Sequence, residues 1–305
     1  MRRIFITGAS SGIGAALALY YAKQGDQLAL VGRREAVLRA LRDSLPVPAA
    51  NEGGETQVVD GSTRSFSDEH GEGRVVAGLN RPFRDEHGED ASQASTQTFT
   101  HRIYVLDVRD RQALHAAAHD FLRDGPVDIV IGCAGISVGT LTEELDDFQV
   151  FEAVVATNLN ATVATFEPFV AAMKQRGQGV LVGVSSVAAV RGLPGAGAYS
   201  ASKAAVRAYC ESLRVELGPS GVKVVTLAPG FIQTPMTAHN PYKMPFLMPV
   251  GVFAAKAAQA IDRGVSYKVI PWQMGWVAWL LRLVPDWLYD RVAVRRKRKP
   301  RSSEK

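Results

Sequence analysis

The chain is poor in cysteine: Cys133 and Cys210 are the two among 305 residues. Two thiols cannot staple a chain of this length, so a disulfide scaffold is excluded, and the low count fits a reducing, cytoplasmic compartment. Long hydrophobic runs are missing as well. No stretch approaches the ~18 apolar residues of a membrane span. The apolar run that follows Met1-Arg2-Arg3 is too short for the core of a secretory signal. Charged residues make up 21% against 47% hydrophobic, which excludes wholesale disorder and allows a full buried core.

The net charge of +5 is unevenly spread. Residues 291–305 hold eight basic residues and one acid, whereas residues 46–100 hold ten acids and four arginines. The basicity is therefore mostly a C-terminal feature on a mildly basic body, not a property of the whole surface.

Apolar runs and helical spacings alternate along the chain. Strands are expected at Ile4–Thr7, Gln27–Val31, Arg102–Asp107, Val127–Gly132, Gly179–Ser185, Val222–Leu227 and Tyr267–Ile270. Helices are expected at Ile13–Lys23, Arg34–Leu45, Arg111–Leu122, Leu145–Arg176 with a kink near Pro168, Ala198–Leu217 and Val250–Asp262. Continuous Val/Ile/Leu strands between helices predict a Rossmann-type α/β fold with a doubly wound, seven-stranded parallel sheet. One catalytic domain is expected over 1–271, followed by a Trp-rich amphipathic segment and basic tail over 272–305. Residues 46–100 break the alternation. They contain a near-repeat, Phe66-Ser67-Asp68-Glu69-His70-Gly71-Glu72 and Phe83-Arg84-Asp85-Glu86-His87-Gly88-Glu89. Its His and carboxylates invite a metal reading. The polar composition favours a flexible insertion instead, and no metal ligand is assigned.

The first strand runs into Thr7-Gly8-Ala9-Ser10-Ser11-Gly12-Ile13-Gly14 and then a helix. Glycines there let the backbone approach a pyrophosphate, which the free N–H groups of the helix start attract. After the second strand stand Gly32-Arg33-Arg34, with no acid to hold a ribose hydroxyl. Arg33 or Arg34 suits a 2′-phosphate, so NADP(H) is favoured and NAD(H) stays open.

Tyr199 and Lys203 lie four apart on an expected helix and share a face. An ammonium beside a phenol makes a plausible acid–base pair. Ser185-Ser186 ends the fifth strand, on the side where ligands bind in an open parallel sheet. Asn158 stands on the preceding helix, and Pro229-Gly230 follows the sixth strand with Thr234 after it.

In this combination the chain resembles the short-chain dehydrogenase/reductase family of classical type. Thr7–Gly14, Asp107-Val108, Cys133-Ala134-Gly135, Asn158, Ser186, Tyr199-x-x-x-Lys203 and Pro229-Gly230 with Thr234 carry the resemblance, over about 1–45 and 101–271. It implies an oxidoreductase moving a hydride between a nicotinamide and a carbonyl or alcohol. Tyr199 would exchange the proton, and Ser186 would hold the substrate oxygen. Lys203 would bind the nicotinamide ribose and depress the Tyr199 pKa, and Asn158 would hold a relay water. Asp107 and Val108 would meet the adenine, with Ala134 and Gly135 along the cofactor. Pro229, Gly230, Ile232 and Thr234 would lie at the carboxamide, and Gly8, Ser10, Ser11, Gly12, Ile13 and Gly14 at the phosphates. The family's usual Asn-Asn-Ala-Gly is Gly132-Cys133-Ala134-Gly135 here. Cys133 reads as a small buried filler rather than a reactive thiol. The resemblance also implies a homo-oligomer, a dimer or tetramer. Two alternatives stand beside the reductase reading: a cofactor-binding scaffold that no longer catalyses, and epimerase or dehydratase chemistry on the same fold.

Residues 233–250 carry Met236, Tyr242, Met244, Phe246, Leu247 and Met248, which suit an apolar substrate or simply pack the loop. Leu193 and Pro194 are candidates for the other wall. All four tryptophans, Trp272, Trp276, Trp279 and Trp287, precede the basic tail. This combination fits in-plane contact with the inner face of an anionic membrane, and equally a helix packed on the body or on another subunit. Nucleic acid is disfavoured, because one basic tail without a recognised binding fold is poor support.

Overall fold

A computed structural model of the protein describes residues 1–47, 100–238, 240–295 and 298–301. The acidic insertion expected over 46–100, with its near-repeat, lies outside the described residues save for its ends. The described residues form one compact unit, which takes in the C-terminal segment.

Seven parallel strands run in the order β3-β2-β1-β4-β5-β6-β9. They are β1 (Arg3–Thr7), β2 (Gln27–Gly32), β3 (Arg102–Val105), β4 (Ile129–Gly132), β5 (Gly179–Val184), β6 (Val222–Pro229) and β9 (Tyr267–Ile270). Two short strands, β7 (Ile232–Gln233) and β8 (Met248–Pro249), pair with each other. The helices are α1 (Gly12–Ala22), α2 (Glu35–Ser44), α3 (Arg111–Arg123), α4 (Asp147–Val155), α5 (Ala161–Arg176), α6 (Gly197–Leu217), α7 (Val250–Asp262), α8 (Trp272–Leu283) and α9 (Asp286–Ala293).

Side chains alternate across each strand, so both faces of the sheet carry a core. Ile4, Ile6, Leu28 and Leu30 pack with Leu17, Phe253 and Ala257 of α1 and α7 on one face. Phe5, Val31 and Val130 pack with Phe121, Phe166 and Val206 of α3, α5 and α6 on the other. Burial on both faces is the reason these strands are apolar throughout. The chain winds from β1 outward through β2 to β3, then crosses back to β4 beside β1. The loops after β1 and β4 therefore leave in opposite directions and open a crevice at the strand C-termini.

The long helix expected over Leu145–Arg176 is divided between α4 and α5. Pro168 lies inside α5. The break is a π-helical turn over Ala156–Asn160 between α4 and α5. The extra residue in such a turn shifts the helical phase, and Asn158 ends up fully buried.

The described residues of the C-terminal segment touch the body. Tyr289 of α9 donates its hydroxyl to Gly192 O at 2.5 Å, and Arg191 lies 4.4 Å over the Tyr289 ring. Residues 298–301 return to the body, where Arg301 makes a bridge to Gly139. No helix among the described residues is long and apolar enough to cross a membrane.

Candidate active site

A cleft of about 450 Å³ lies at the C-terminal ends of the strands. One end is the turn between β1 and α1. Gly8 has φ +71, and a Cβ there would sit 2.8 Å from the backbone of Ala134. At Gly14 a Cβ would run into Gly8 O. Both positions exclude a side chain, so turn and helix start press together and α1 presents its first N–H groups to the cleft. Ser10, Ser11, Gly12 and Ile13 line this end, and Gly14 braces it from behind. A glycine cradle at a helix N-terminus fits the pyrophosphate of a dinucleotide.

Arg33 and Arg34 both line the cleft. Arg34 donates to Ser10 O at 2.8 Å and to Ser10 Oγ at 3.2 Å, which swings its guanidinium over the turn. Arg33 approaches Asp107 at 3.9 Å and stays largely exposed. Asp107 is gripped by Arg109, whose Nη2 lies 2.7 Å from Oδ2. Hydrogen bonds from Arg109 hold the Asp107 carboxyl below the usual carboxylate range. Val108 lines the cleft beside it.

At the other end, β5 delivers Ser185 and Ser186, and α6 delivers Tyr199 and Lys203. Ser185 Oγ donates to Lys203 O at 2.7 Å, tying the strand end to the helix. The Lys203 ammonium is buried, donates to Val184 O at 2.8 Å and lies 6.0 Å from the Tyr199 ring centre. Burial brings its pKa down to about 8. The expectation that Lys203 holds the Tyr199 phenol below its ordinary range is not met here. Burial pushes the Tyr199 pKa up, and the Ser186 hydroxyl pulls it back only in part.

Ala134, Gly135, Pro229, Gly230, Ile232 and Thr234 line the floor between the two ends. Asn158 does not line the cleft. Its side chain is taken up by Ile136 and by Ser202, to which Nδ2 donates at 3.0 Å. Cys133 is buried enough to push its thiol up to about 11, which suits a filler and not a nucleophile. Its N–H donates to Thr7 Oγ1 at 3.3 Å, so a β1 threonine steadies the turn where the family has asparagine.

Of the expected substrate loop, Met236 lines the cleft, and Tyr242 lies close enough to Tyr199 to influence its phenol. Thr237 has no motif to announce it, yet it is the hub of this loop. Its Oγ1 donates to Ile232 O at 2.6 Å and accepts from Thr234 N at 3.1 Å. Ser137 and Lys299 also escape sequence reasoning. Lys299 Nζ donates to Ser137 Oγ at 2.6 Å and stands 5.8 Å from the Tyr199 ring centre.

Comparison with known proteins agrees with this geometry. The family model described as short chain dehydrogenase matches residues 2–64 and 72–244. An uncharacterised oxidoreductase of Myxococcus xanthus is 32% identical over 96% of this chain and 97% of its own length. A protein of Arabidopsis thaliana named 11-beta-hydroxysteroid dehydrogenase-like 2 is 30% identical over 95% of this chain and 81% of its own. Among solved structures, a short-chain dehydrogenase from Sphingobium yanoikuyae in complex with NADPH shares the fold. Its TM-score is 0.65 at 22% identity, covering 94% of this chain and 97% of that one.

Proposed function

The chain belongs to the short-chain dehydrogenase family and is an NAD(P)-dependent oxidoreductase, and from that premise we propose an NADPH-preferring reductase of apolar carbonyl compounds, or the corresponding alcohol dehydrogenase in reverse. The observation that carries this reading is the meeting of Ser186, Tyr199 and Lys203 with the glycine turn in one cleft.

The bound nicotinamide supplies the hydride. The chain's own residues align and protonate. Ser186 Oγ, fixed by accepting from Ala188 N at 3.1 Å, positions the substrate oxygen. Tyr199 gives that oxygen its proton. Lys203 holds the cofactor ribose and refills Tyr199, while Asn158, whose side chain is engaged by Ile136 and Ser202, serves by holding the loop after β4 rather than a relay water. Arg33 and Arg34 take the 2′-phosphate, while Asp107 and Val108 meet the adenine. Ala134, Gly135, Pro229, Gly230, Ile232 and Thr234 border the nicotinamide half. Met236 and Tyr242 support an apolar substrate, as does the hydroxysteroid in the name of the Arabidopsis relative.

The enzyme is proposed to be a cytoplasmic homo-oligomer; the exposed Leu145, just before α4, and Phe148, on it, support the oligomer. Contact with an anionic membrane is supported by α8, which turns Trp272, Trp276, Trp279 and Leu283 outward while burying Met274 and Ala278.

Loss of NADPH absorbance with a panel of apolar ketones tests the activity. NADPH binding with no turnover across the panel would favour a non-catalytic scaffold. Turnover with no net change in NADPH would favour epimerase or dehydratase chemistry.

A further inference from the structure

The loop after β7 is held from inside by one hydroxyl. Thr237 lines the cleft together with Ile232 and Thr234. Its Oγ1 lies 2.6 Å from Ile232 O, 3.1 Å from Thr234 N, 3.1 Å from Thr234 O and 3.3 Å from Thr234 Oγ1. A hydroxyl has one proton to give and two lone pairs to receive with, so the sense of each contact can be worked out.

The proton goes to Ile232 O, the nearest acceptor and at an ordinary O–H···O distance. Thr234 O competes poorly. It is farther away, and it already accepts from the N–H groups of Thr237 at 3.0 Å and Ala238 at 3.1 Å. With its proton spent on Ile232, Thr237 can only accept from Thr234. It takes the Thr234 N–H, and between the two hydroxyls Thr234 is the donor.

The Thr234 side chain is also set from its other side. Its Cγ2 faces the phosphate turn, where a Cβ on Gly12 would lie 3.3 Å away. The bare glycine makes room for the methyl group, and the hydroxyl is left to Thr237. A Thr234 hydroxyl whose proton is given to Thr237 has lone pairs for the cleft and no proton. It suits a ligand group that donates. A nicotinamide carboxamide has two ends, an NH₂ that donates and a carbonyl that accepts, and an acceptor tells them apart.

We propose that Thr237 is a positioning residue for the cofactor: by accepting from Thr234 it makes the Thr234 hydroxyl an acceptor, which receives the NH₂ end of the nicotinamide carboxamide. This rests on the reductase reading, with the nicotinamide beside Thr234.

The test compares NADP⁺ with its 3-acetylpyridine analogue, in which a methyl group replaces the NH₂ and the carbonyl stays. Kd is measured by calorimetry without substrate, so no turnover is needed. The proteins are the wild type, Thr237→Val, Thr237→Ala, Thr237→Ser and Thr234→Val. Two removals of the Thr237 hydroxyl are included so that one suffices if the other fails to fold. The wild type is expected to bind NADP⁺ about 5-fold more tightly than the analogue, the size of one neutral hydrogen bond. Thr237→Val and Thr237→Ala should bring that ratio to within about 2-fold of unity by weakening NADP⁺ and sparing the analogue, and Thr237→Ser should keep it. Equal weakening of both ligands would overturn the proposal, because a hydroxyl that merely holds the loop serves both alike. A preference lost in Thr234→Val but kept in both Thr237 variants would also overturn it, while leaving the nicotinamide at Thr234. A preference kept in Thr234→Val, or absent from the wild type, would count against that placement of the nicotinamide, and the proposal would fall with it.

Discussion

Asn158 clasps the backbone of Ile136 from both sides: its Oδ1 accepts from Ile136 N–H at 2.8 Å, and its Nδ2 donates to Ile136 O at 3.0 Å. The π turn that buries Asn158 thus holds the loop after β4 in place. A Cβ on neighbouring Gly135 would lie 3.2 Å from Asn158 Oδ1 and 3.4 Å from Lys203 Nζ, so the clasp also sets the space around the lysine.

Asn158→Ala leaves Ile136 N–H and O and the Ser202 hydroxyl without that partner in a buried place. A loss of about 2–4 kcal/mol in unfolding free energy is expected by urea denaturation. Unchanged stability would show that water replaces the amide at no cost.

Tyr199→Phe keeps the ring and removes the proton. kcat/KM for ketone reduction should fall by about 10²–10⁴, while the NADPH Kd from fluorescence titration should stay within about 3-fold. Retained turnover would exclude Tyr199 as the acid.

Removing both guanidiniums, as Arg33→Ala with Arg34→Ala, should weaken NADPH binding about 10- to 100-fold and leave NADH binding close to unchanged. An equal loss for both cofactors would mean that the arginines serve the turn through Ser10 rather than the 2′-phosphate.

Lys203 makes stability depend on pH. Its pKa falls from an ordinary 10.5 to about 8 in the folded protein. Between these values the unfolded chain holds a proton that the folded protein has released, so this residue's contribution to stability rises with pH. In cofactor-free protein, the advantage of Lys203→Met over the wild type should shrink by on the order of 3 kcal/mol between pH ~7.5 and ~10.5. A constant difference across that window would place the lysine pKa near its ordinary value.

The outward tryptophans should bring the protein to vesicles. Flotation with phosphatidylserine-containing liposomes is expected to recover the wild type at low salt and much less at high salt. Trp276→Ala with Trp279→Ala should abolish recovery. Wild type left at the bottom of the gradient at both salts would assign the face to another subunit.

What the sequence determined by itself is what short-range pattern encodes. Apolar runs such as Ile4–Ile6 and Leu28–Val31, set between helical spacings, read as strands covered on both faces. Gly8 and Gly14 close a turn within a few residues, and Tyr199 and Lys203 share a helix face because one turn separates them. Even the ordered set of motifs spread along the chain was legible, since each is local. The helix interruption at Ala156–Asn160 was not legible, because a π turn has no single marking residue. Only tertiary structure decided the remainder. Ser137 and Lys299 are 162 positions apart, and their contact exists because the chain folds back across two loops. No periodicity records such a return. Charge alone left the place of the tail open, whereas the ion pairs of Arg301 with Asp147 and Glu144 hold its last described residue against the body.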